Sequence, residues 1–293
     1  ILSIGAADNR GIERWTVASP AMSRTVELQV LPAADPDEAA PILILLDGIN
    51  APRNSGWVSH GNLTETFAED NVTLIMPTEA RASMYLDWHA DDPVLGRHQW
   101  ETFLAKELPD LLTGTDSGLN TNKKIALGGL SMGASGAITI ANANPGIFNA
   151  AFGISGCYST TSPAGRLMSH VIVESRGGDS TNLYGPATSE RRQRYDVTAD
   201  PSGLADIPVY LSATTGAIGA SDALHYGTNA QSMAIGVILE QGAESCTRDL
   251  DSALRRAGST HQEVHIREEG AHNWETFAAE LAPAWAHIKS ALD

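Results

Sequence analysis

Short runs of apolar and β-branched residues recur along the chain and alternate with stretches whose apolar residues return at helical spacing. The run at 42–46 is continuously apolar, as expected of a strand covered on both faces. Polar and apolar residues alternate at 25–31, which indicates an antiparallel edge strand. The strands predicted in this way are 25–31, 42–46, 72–77, 124–130, 150–155, 207–213 and 263–268.

Helical spacing is clearest in 98–112, where large apolar residues fall on one helical face: Trp100, Phe103, Leu104 and Leu108. The predicted helices are 98–112, 132–143, 246–257 and 274–292. Strands that alternate with helices favour a mostly parallel sheet with helices on both faces, here as one domain over residues 1–293. Two turn-rich segments, 52–61 and 159–201, show neither period. The longer one is either a functional excursion or solvated surface.

Composition and charge exclude several classes of protein. With 42% hydrophobic and 18% charged residues the chain is globular, and its formal net charge of −16 argues against nucleic acid or anionic lipid headgroups as partners. The longest aliphatic run, 42–46, is far shorter than the roughly 20 residues of a membrane span. Residues 1–10 lack the basic head and apolar centre of a signal peptide. The chain is therefore either cytosolic or a mature form without its export signal.

The segment Gly129-Leu130-Ser131-Met132-Gly133 is a G-x-S-x-G motif between a predicted strand and a helix rich in small residues. In α/β-hydrolases this motif forms a nucleophile elbow, in which the serine is strained and the glycines allow strand and helix to approach. We therefore predict the α/β-hydrolase fold with Ser131 as nucleophile, near the positive end of the helix dipole. The alternative is a Gly/Ser turn into a packed helix.

An oxyanion hole needs two N–H donors, one of them on the residue after the nucleophile. We predict the Met132 N–H as the first donor. The second is the Ile49 N–H, in a loop that follows the 42–46 strand and can turn at Gly48. Asp47, in the same loop, either binds hydroxyl groups of a sugar or caps the turn.

α/β-Hydrolases carry nucleophile, acid and histidine in that order along the chain, so the base lies late in the sequence. The histidines well beyond Ser131 are His225, His261, His265, His272 and His287. Only His272 lies in a loop between the last predicted strand and the last predicted helix, where the catalytic histidine of this fold belongs.

The residues alone do not identify the catalytic acid. The candidates between the sixth predicted strand and the histidine loop are Asp222, Glu240, Glu244 and Asp249. Topology favours Asp222 because it closely follows the 207–213 strand, but the sequence does not decide between them.

Segments spread over nearly the whole chain resemble the mycolyltransferases of mycobacteria and corynebacteria, the antigen-85 type. They are 19–24, which resembles an amino-terminal entry strand, and 45–48, 55–57, 87–88, 100–104, 107–109, 129–132 and 272–275. Unrelated esterases share only the elbow and the histidine loop. The resemblance implies a secreted protein of the cell envelope, in its mature form, that needs no metal or organic cofactor.

The resemblance also implies roles for single residues. The family's acid is a Glu in a Leu-Glu pair some thirty residues before the histidine, and Leu239-Glu240 places Glu240 32 residues before His272. Glu240 is thus preferred to Asp222 as the catalytic acid, and Glu244, one helical turn away, is the fallback.

Family members bind trehalose beside the nucleophile, and by position Asp47 and Trp274 would contact it. Two positions depart from the mycobacterial pattern, since Asn50 replaces an Arg and His60 replaces an Asn. We expect altered sugar contacts at these two residues, as in the corynebacterial trehalose corynomycolyltransferases or in an enzyme with another acceptor.

The two cysteines, Cys157 and Cys246, are by count alone either one disulfide or two unrelated buried thiols. Segment 90–97 lacks the cysteine of the mycobacterial disulfide. Cys157 follows the 150–155 strand and Cys246 lies six residues after Glu240, so both are expected at the carboxyl edge of the sheet. We predict a Cys157–Cys246 disulfide that steadies the loop of the acid.

The resemblance implies transfer of a mycolyl group from trehalose monomycolate to trehalose or cell-wall arabinogalactan, through an acyl-serine intermediate. Trehalose mycolates and sugar acceptors would be the partners, and segment 159–201 would cover the acyl chain. A secreted carboxylesterase on the same fold would form the same acyl-enzyme. A non-catalytic surface binding protein would keep only the scaffold, as in relatives that serve as adhesins.

Overall fold

Nine strands join into one sheet in the order β1-β2-β3-β5-β4-β6-β7-β8-β9. The computed structural model describes residues 1–293. The strands are β1 Ser3–Ile4, β2 Glu13–Ser19, β3 Arg24–Leu31, β4 Ala40–Leu46, β5 Thr73–Pro77, β6 Thr121–Leu130, β7 Ala150–Ile154, β8 Val209–Thr214 and β9 Gln262–Arg267. From β5 to β9 the neighbouring strands are parallel, whereas β1 to β3 pair antiparallel and β3 joins β5 antiparallel.

Helices cover both faces of this sheet, as the alternation of strand and helix patterns predicts. They are α1 Gly56–His60, α2 Leu63–Thr66, α3 Trp100–Thr102, α4 Leu108–Thr113, α5 Met132–Ala143, α6 Pro163–Glu174, α7 Ser180–Tyr184, α8 Glu190–Arg194, α9 Ala220–Tyr226, α10 Ala230–Arg256, α11 Trp274–Ala279 and α12 Leu281–Ile288. In β4, Ile42 and Ile44 belong to the core on one face and Leu43 and Leu45 to the core on the other. No helix has the combination of length and apolarity that crossing a bilayer requires.

The antiparallel part of the sheet differs from the prediction. The strand expected at 25–31 is antiparallel, but it is not an edge strand, because β2 and β5 flank it on either side. Strands β1 and β2 were not predicted, since β1 has two residues and β2 carries two charged residues at its start. Segment 19–24, interpreted as an entry strand, is the turn between β2 and β3 with only its end residues in strands.

Helix boundaries also differ where local packing overrides the sequence pattern. The helix predicted at 246–257 is only the last part of α10, and the earlier turns of α10 carry several outward-facing apolar residues that disguise its period. The 274–292 helix is divided at Glu280, whose buried carboxylate accepts a hydrogen bond from the Tyr210 hydroxyl at 2.6 Å.

The two segments without a predicted period both contain helix. Segment 52–61 includes α1, which Ser55 caps through its hydroxyl, and 159–201 carries α6, α7 and α8. The helix predicted at 98–112 starts two residues later, at Trp100, and its middle turn, Phe103–Glu107, is a π-helix.

A disulfide joins Cys157, just after β7, to Cys246 on α10, which confirms the predicted pairing. Both cysteines are buried. Glu240 lies on the same helix as Cys246, not in a loop. The cross-link therefore fastens the helix of this carboxylate to the end of a central strand.

We predict that the double variant Cys157→Ala/Cys246→Ala has a free energy of unfolding about 2–4 kcal/mol lower than the wild type, because the cross-link restricts the unfolded chain across 89 residues. Urea unfolding followed by circular dichroism measures the difference. Dithiothreitol should destabilise the wild type by a similar amount and leave the variant unchanged. Equal midpoints of the oxidised wild type and the variant would contradict the prediction.

Candidate active site

Ser131 occupies the sharp turn between β6 and α5 with φ 53° and ψ −120°, the strained conformation predicted for a nucleophile elbow. The turn is possible because two neighbours have no side chain. A Cβ on Gly129 would collide with the backbone of Gly133, and a Cβ on Gly133 would collide with the carbonyl oxygens of Leu46 and Asp47. Helix α5 thus packs directly against the end of β4.

His272 lies between Ser131 and Glu240 and contacts both side chains. Its Nε2 is 2.8 Å from the Ser131 Oγ, and its Nδ1 is 2.8 Å from the Glu240 Oε2. An ionised carboxylate only accepts hydrogen bonds, so the Nδ1–H donates to Glu240. In the neutral ring, Nε2 then accepts a hydrogen bond from the Ser131 hydroxyl, which is the arrangement that a general base requires.

Glu240 has no exposed surface, and other groups compensate its charge. Its Oε1 accepts hydrogen bonds from the Ser155 hydroxyl at 2.6 Å and from the Thr214 backbone N–H at 3.0 Å. With His272 this makes three donors, which offset the cost of burying a carboxylate. Sequence reasoning missed Ser155 and Thr214. Each is a polar residue at the carboxyl end of a buried strand, and that position is the signal that could have identified them.

Asp222, which topology alone favours as the acid, lies near the histidine loop but makes a different set of contacts. Its Oδ1 accepts hydrogen bonds from the Ala271 N–H at 2.9 Å and from the Asn273 side-chain amide at 2.7 Å, and its Oδ2 accepts one from the Gly219 N–H. It therefore holds both chain neighbours of His272.

The fallback acid, Glu244, and three of the other late histidines form separate ion pairs. Glu244 pairs with Arg248 on the surface of α10. The histidine pairs are His225 with Glu275, His265 with Glu280 and His287 with Glu263. None of these pairs includes Ser131.

Ile49 and Met132, the predicted oxyanion-hole donors, belong to the loop after β4 and to the start of α5. A Cβ on Gly48 would lie 3.5 Å from the Ser131 Cβ, so the loop after β4 is in contact with the serine. The Ile49 N–H donates to no acceptor within the protein. Met132 is the first residue of α5, and its N–H has no carbonyl one turn earlier in the helix. Both predicted donors are thus available.

A cleft of about 340 Å³ opens above these groups. The predicted sugar contacts Asp47, Asn50, His60 and Trp274 all line it. The rings of His60 and Trp274 are neighbours, with their centroids 5.3 Å apart and their planes tilted by 34°. The Asn50 side-chain oxygen already accepts hydrogen bonds from the Arg176 guanidinium at 2.9 and 3.1 Å, which leaves the Asn50 amide NH₂ for other partners.

Asp47 is buried at the floor of this cleft. Its Oδ1 accepts a hydrogen bond from the Gly56 N–H at the start of α1, so the carboxylate caps this helix, not its own turn. Its Oδ2 is buried without a hydrogen-bond partner in the protein. Burial raises the pKa of Asp47 from 3.8 to about 7. The folded protein therefore holds a carboxyl group that readily accepts a proton beside the oxyanion loop.

A family model described as "Putative esterase" matches residues 19–288. The chain belongs to this esterase family. It is 26% identical to the diacylglycerol acyltransferase/mycolyltransferase Ag85B of Mycobacterium leprae, over 92% of this chain and 81% of the relative. It is also 26% identical to the corresponding Ag85A of Mycobacterium tuberculosis, over 96% of this chain and 81% of the relative. The predicted resemblance to the antigen-85 type is confirmed.

Solved structures agree with this family assignment. Mycobacterium tuberculosis MPT51 (FbpC1) superposes with a TM-score of 0.79 at 25% identity, covering 96% of this chain and 99% of that one. An S-formylglutathione hydrolase from Agrobacterium tumefaciens has a TM-score of 0.73 at 16% identity, over 100% and 99% of the two chains, which shows a common fold. The α/β-hydrolase fold is thereby confirmed. This member of the esterase family is an enzyme of the serine-hydrolase type.

The raised pKa of Asp47 predicts a pH dependence of stability. Between pH 3.8 and about 7 the unfolded chain has lost a proton that the folded protein keeps, so the free energy of unfolding falls as the pH rises through this range. Asp47→Asn removes this titration and keeps an oxygen for the Gly56 N–H. The difference in melting temperature, variant minus wild type, should therefore increase from pH 4 to pH 7 and remain constant above pH 7. A difference that does not change with pH would contradict the prediction.

Proposed function

We propose that this protein is a mycolyltransferase in which Ser131, His272 and Glu240 form a catalytic triad. The observation that carries the proposal is the hydrogen-bonded chain from Ser131 Oγ through His272 to the buried Glu240, at the floor of an open cleft. The names of the relatives, which are acyltransferases as well as members of an esterase family, support transfer over simple hydrolysis.

The first half-reaction acylates the serine. His272 Nε2 takes the proton of Ser131 while Oγ attacks the ester carbonyl carbon of trehalose monomycolate. The carbonyl oxygen becomes an oxyanion and accepts hydrogen bonds from the Ile49 and Met132 amides. Glu240 stabilises the imidazolium through Nδ1. The C–O bond to trehalose then breaks, His272 gives its proton to the leaving oxygen, and a mycolyl ester of Ser131 remains.

The second half-reaction runs the same steps with a new nucleophile. His272 removes a proton from a hydroxyl of a second trehalose or of cell-wall arabinogalactan, and that oxygen attacks the acyl-enzyme. The bond to Ser131 Oγ breaks and Oγ regains a proton from His272. Transfer exceeds hydrolysis when a sugar occupies the cleft, and the rings of His60 and Trp274, which both line it, would provide apolar contacts for a pyranose. Asp47 and the free amide of Asn50 would bind its hydroxyl groups.

We also propose that the protein is secreted and acts at the cell envelope. The Cys157–Cys246 disulfide supports this location, because disulfides persist in oxidising compartments and are rare in the cytosol. Segment 159–201, with helices α6 to α8, would shelter the acyl chain.

Glu240→Gln should lower kcat/KM for a soluble p-nitrophenyl ester by about 10³–10⁴-fold with little change in KM, because the imidazolium loses its counter-charge. Glu244→Gln, one turn along the same helix, is the matched control and should retain activity within about twofold. Circular dichroism verifies that both variants fold. Wild-type activity of Glu240→Gln would exclude this carboxylate as the acid.

Product analysis separates the transferase from its alternatives. Incubation with trehalose monomycolate should yield trehalose dimycolate and free trehalose, and Ser131→Ala should yield neither. Free mycolic acid as the only lipid product, with trehalose present in excess, would identify a carboxylesterase. Failure of a fluorophosphonate probe to label Ser131 in the folded protein would instead indicate a non-catalytic binding protein.

A further inference from the structure

Exposed apolar side chains are concentrated on one part of the molecule. Ten large hydrophobic residues are exposed in the whole chain, and four of them lie within one short stretch: Ile218, Leu224, Ile235 and Ile238. We call these four residues the α9–α10 surface. Leu224 on α9 is 85% exposed and Ile238 on α10 is 67% exposed. Two more of the ten, Leu167 and Val171, lie on α6, which contacts α10.

The orientation of α10 is fixed by its buried residues, so these side chains cannot turn inward. Gly236, Glu240 and Ala243 are buried and define the inner face of the helix. Ile235 and Ile238, three residues apart, are neighbours on the opposite side. The first turns of α10 therefore present isoleucines where a surface helix of a water-soluble protein usually presents charged or polar residues.

The α9–α10 surface adjoins the mouth of the cleft. His225, next to Leu224, lines the cleft. Tyr226, at the end of α9, donates a hydrogen bond from its hydroxyl to the His272 carbonyl at 3.2 Å. The His272 N–H in turn donates to the carbonyl of Gly236 at 3.1 Å, next to Ile235. The two helices beside these exposed apolar groups thus also hold the histidine loop through hydrogen bonds.

This surface has no charged side chain of its own. Residues 212–239 contain no Lys, Arg or Glu, and their single Asp, Asp222, is buried. The charges at its border are carboxylates, since Glu269 lies against Gly219 and Glu275 is paired with His225. The chain as a whole carries a formal charge of −16. An acidic protein whose apolar patch is bordered by carboxylates is repelled by anionic headgroups, so its complementary partner is an apolar surface without negative charge.

We propose that the α9–α10 surface docks on the uncharged surface of a lipid layer that contains the ester substrate. The inference rests on the proposed function in one respect, namely that the substrate is a lipid ester. Burial of the exposed Leu and Ile side chains in the layer provides the favourable free energy. Docking places the cleft mouth against the layer, so the acyl chain enters the site without crossing water.

Co-sedimentation with vesicles of pure phosphatidylcholine tests the proposal. The triple variant Leu224→Gln/Ile235→Gln/Ile238→Gln should bind these vesicles at least about tenfold more weakly than the wild type, because apolar burial is lost. The matched control Leu2→Gln/Ile4→Gln/Ile147→Gln, exposed residues outside this surface, should bind like the wild type. Both triple variants should hydrolyse a soluble p-nitrophenyl ester at the wild-type rate, and added salt should not weaken binding.

Three results would overturn the proposal. The first is equal vesicle binding by both triple variants and the wild type, including no binding at all. The second is stronger wild-type binding to vesicles that contain phosphatidylglycerol, since the partner would then be anionic. The third is a wild-type dimer in solution that the Leu224/Ile235/Ile238 variant dissociates, since the surface would then bind a second copy. Ser131→Ala should bind vesicles normally, so failure of the proposed acyl transfer and failure of docking give different results.

Discussion

The candidate site depends on the burial of one carboxylate. Glu240 has no access to solvent, and a buried charge persists only where hydrogen-bond donors replace water. Its three donors come from separate parts of the chain: Ser155 follows β7, Thr214 ends β8, and His272 follows β9. Satisfying this carboxylate therefore requires two strand ends, the histidine loop and α10 to meet with the right geometry.

The parallel arrangement of the central strands makes this meeting possible. Parallel strands bring their carboxyl ends to one edge of the sheet, so residues far apart in the chain become neighbours there. The loop with Ile49 follows β4, and Ser131 follows β6, at the same edge. The π-helical turn and α12 lie outside this set of contacts and cover the sheet, and the antiparallel strands β1 to β3 extend it.

Whether a feature of the fold or of the site could be predicted from the sequence depends on how far apart in the chain the interacting residues lie. The central strands are continuously apolar and the elbow is a contiguous motif, so both are visible locally. The first turns of α10 were missed because Ile235 and Ile238 face outward, which removes the period that marks a core-facing helix. The contact of Glu240 with His272 depends on three-dimensional placement, and local patterns favour Asp222, whose bonds hold the histidine loop from outside. Only the resemblance to a family identified Glu240.

The hydrogen bonds from Arg176 to Asn50 join two regions that are far apart in the chain, namely the loop beside the oxyanion amides and the segment just after α6. Residue 50 thus has a partner outside its own loop. In evolution, substitutions at these two positions should be correlated, because a change at either one removes both hydrogen bonds between them. A chimera that received segment 159–201 from a relative would need the residue at position 50 from the same donor to keep its oxyanion loop in place.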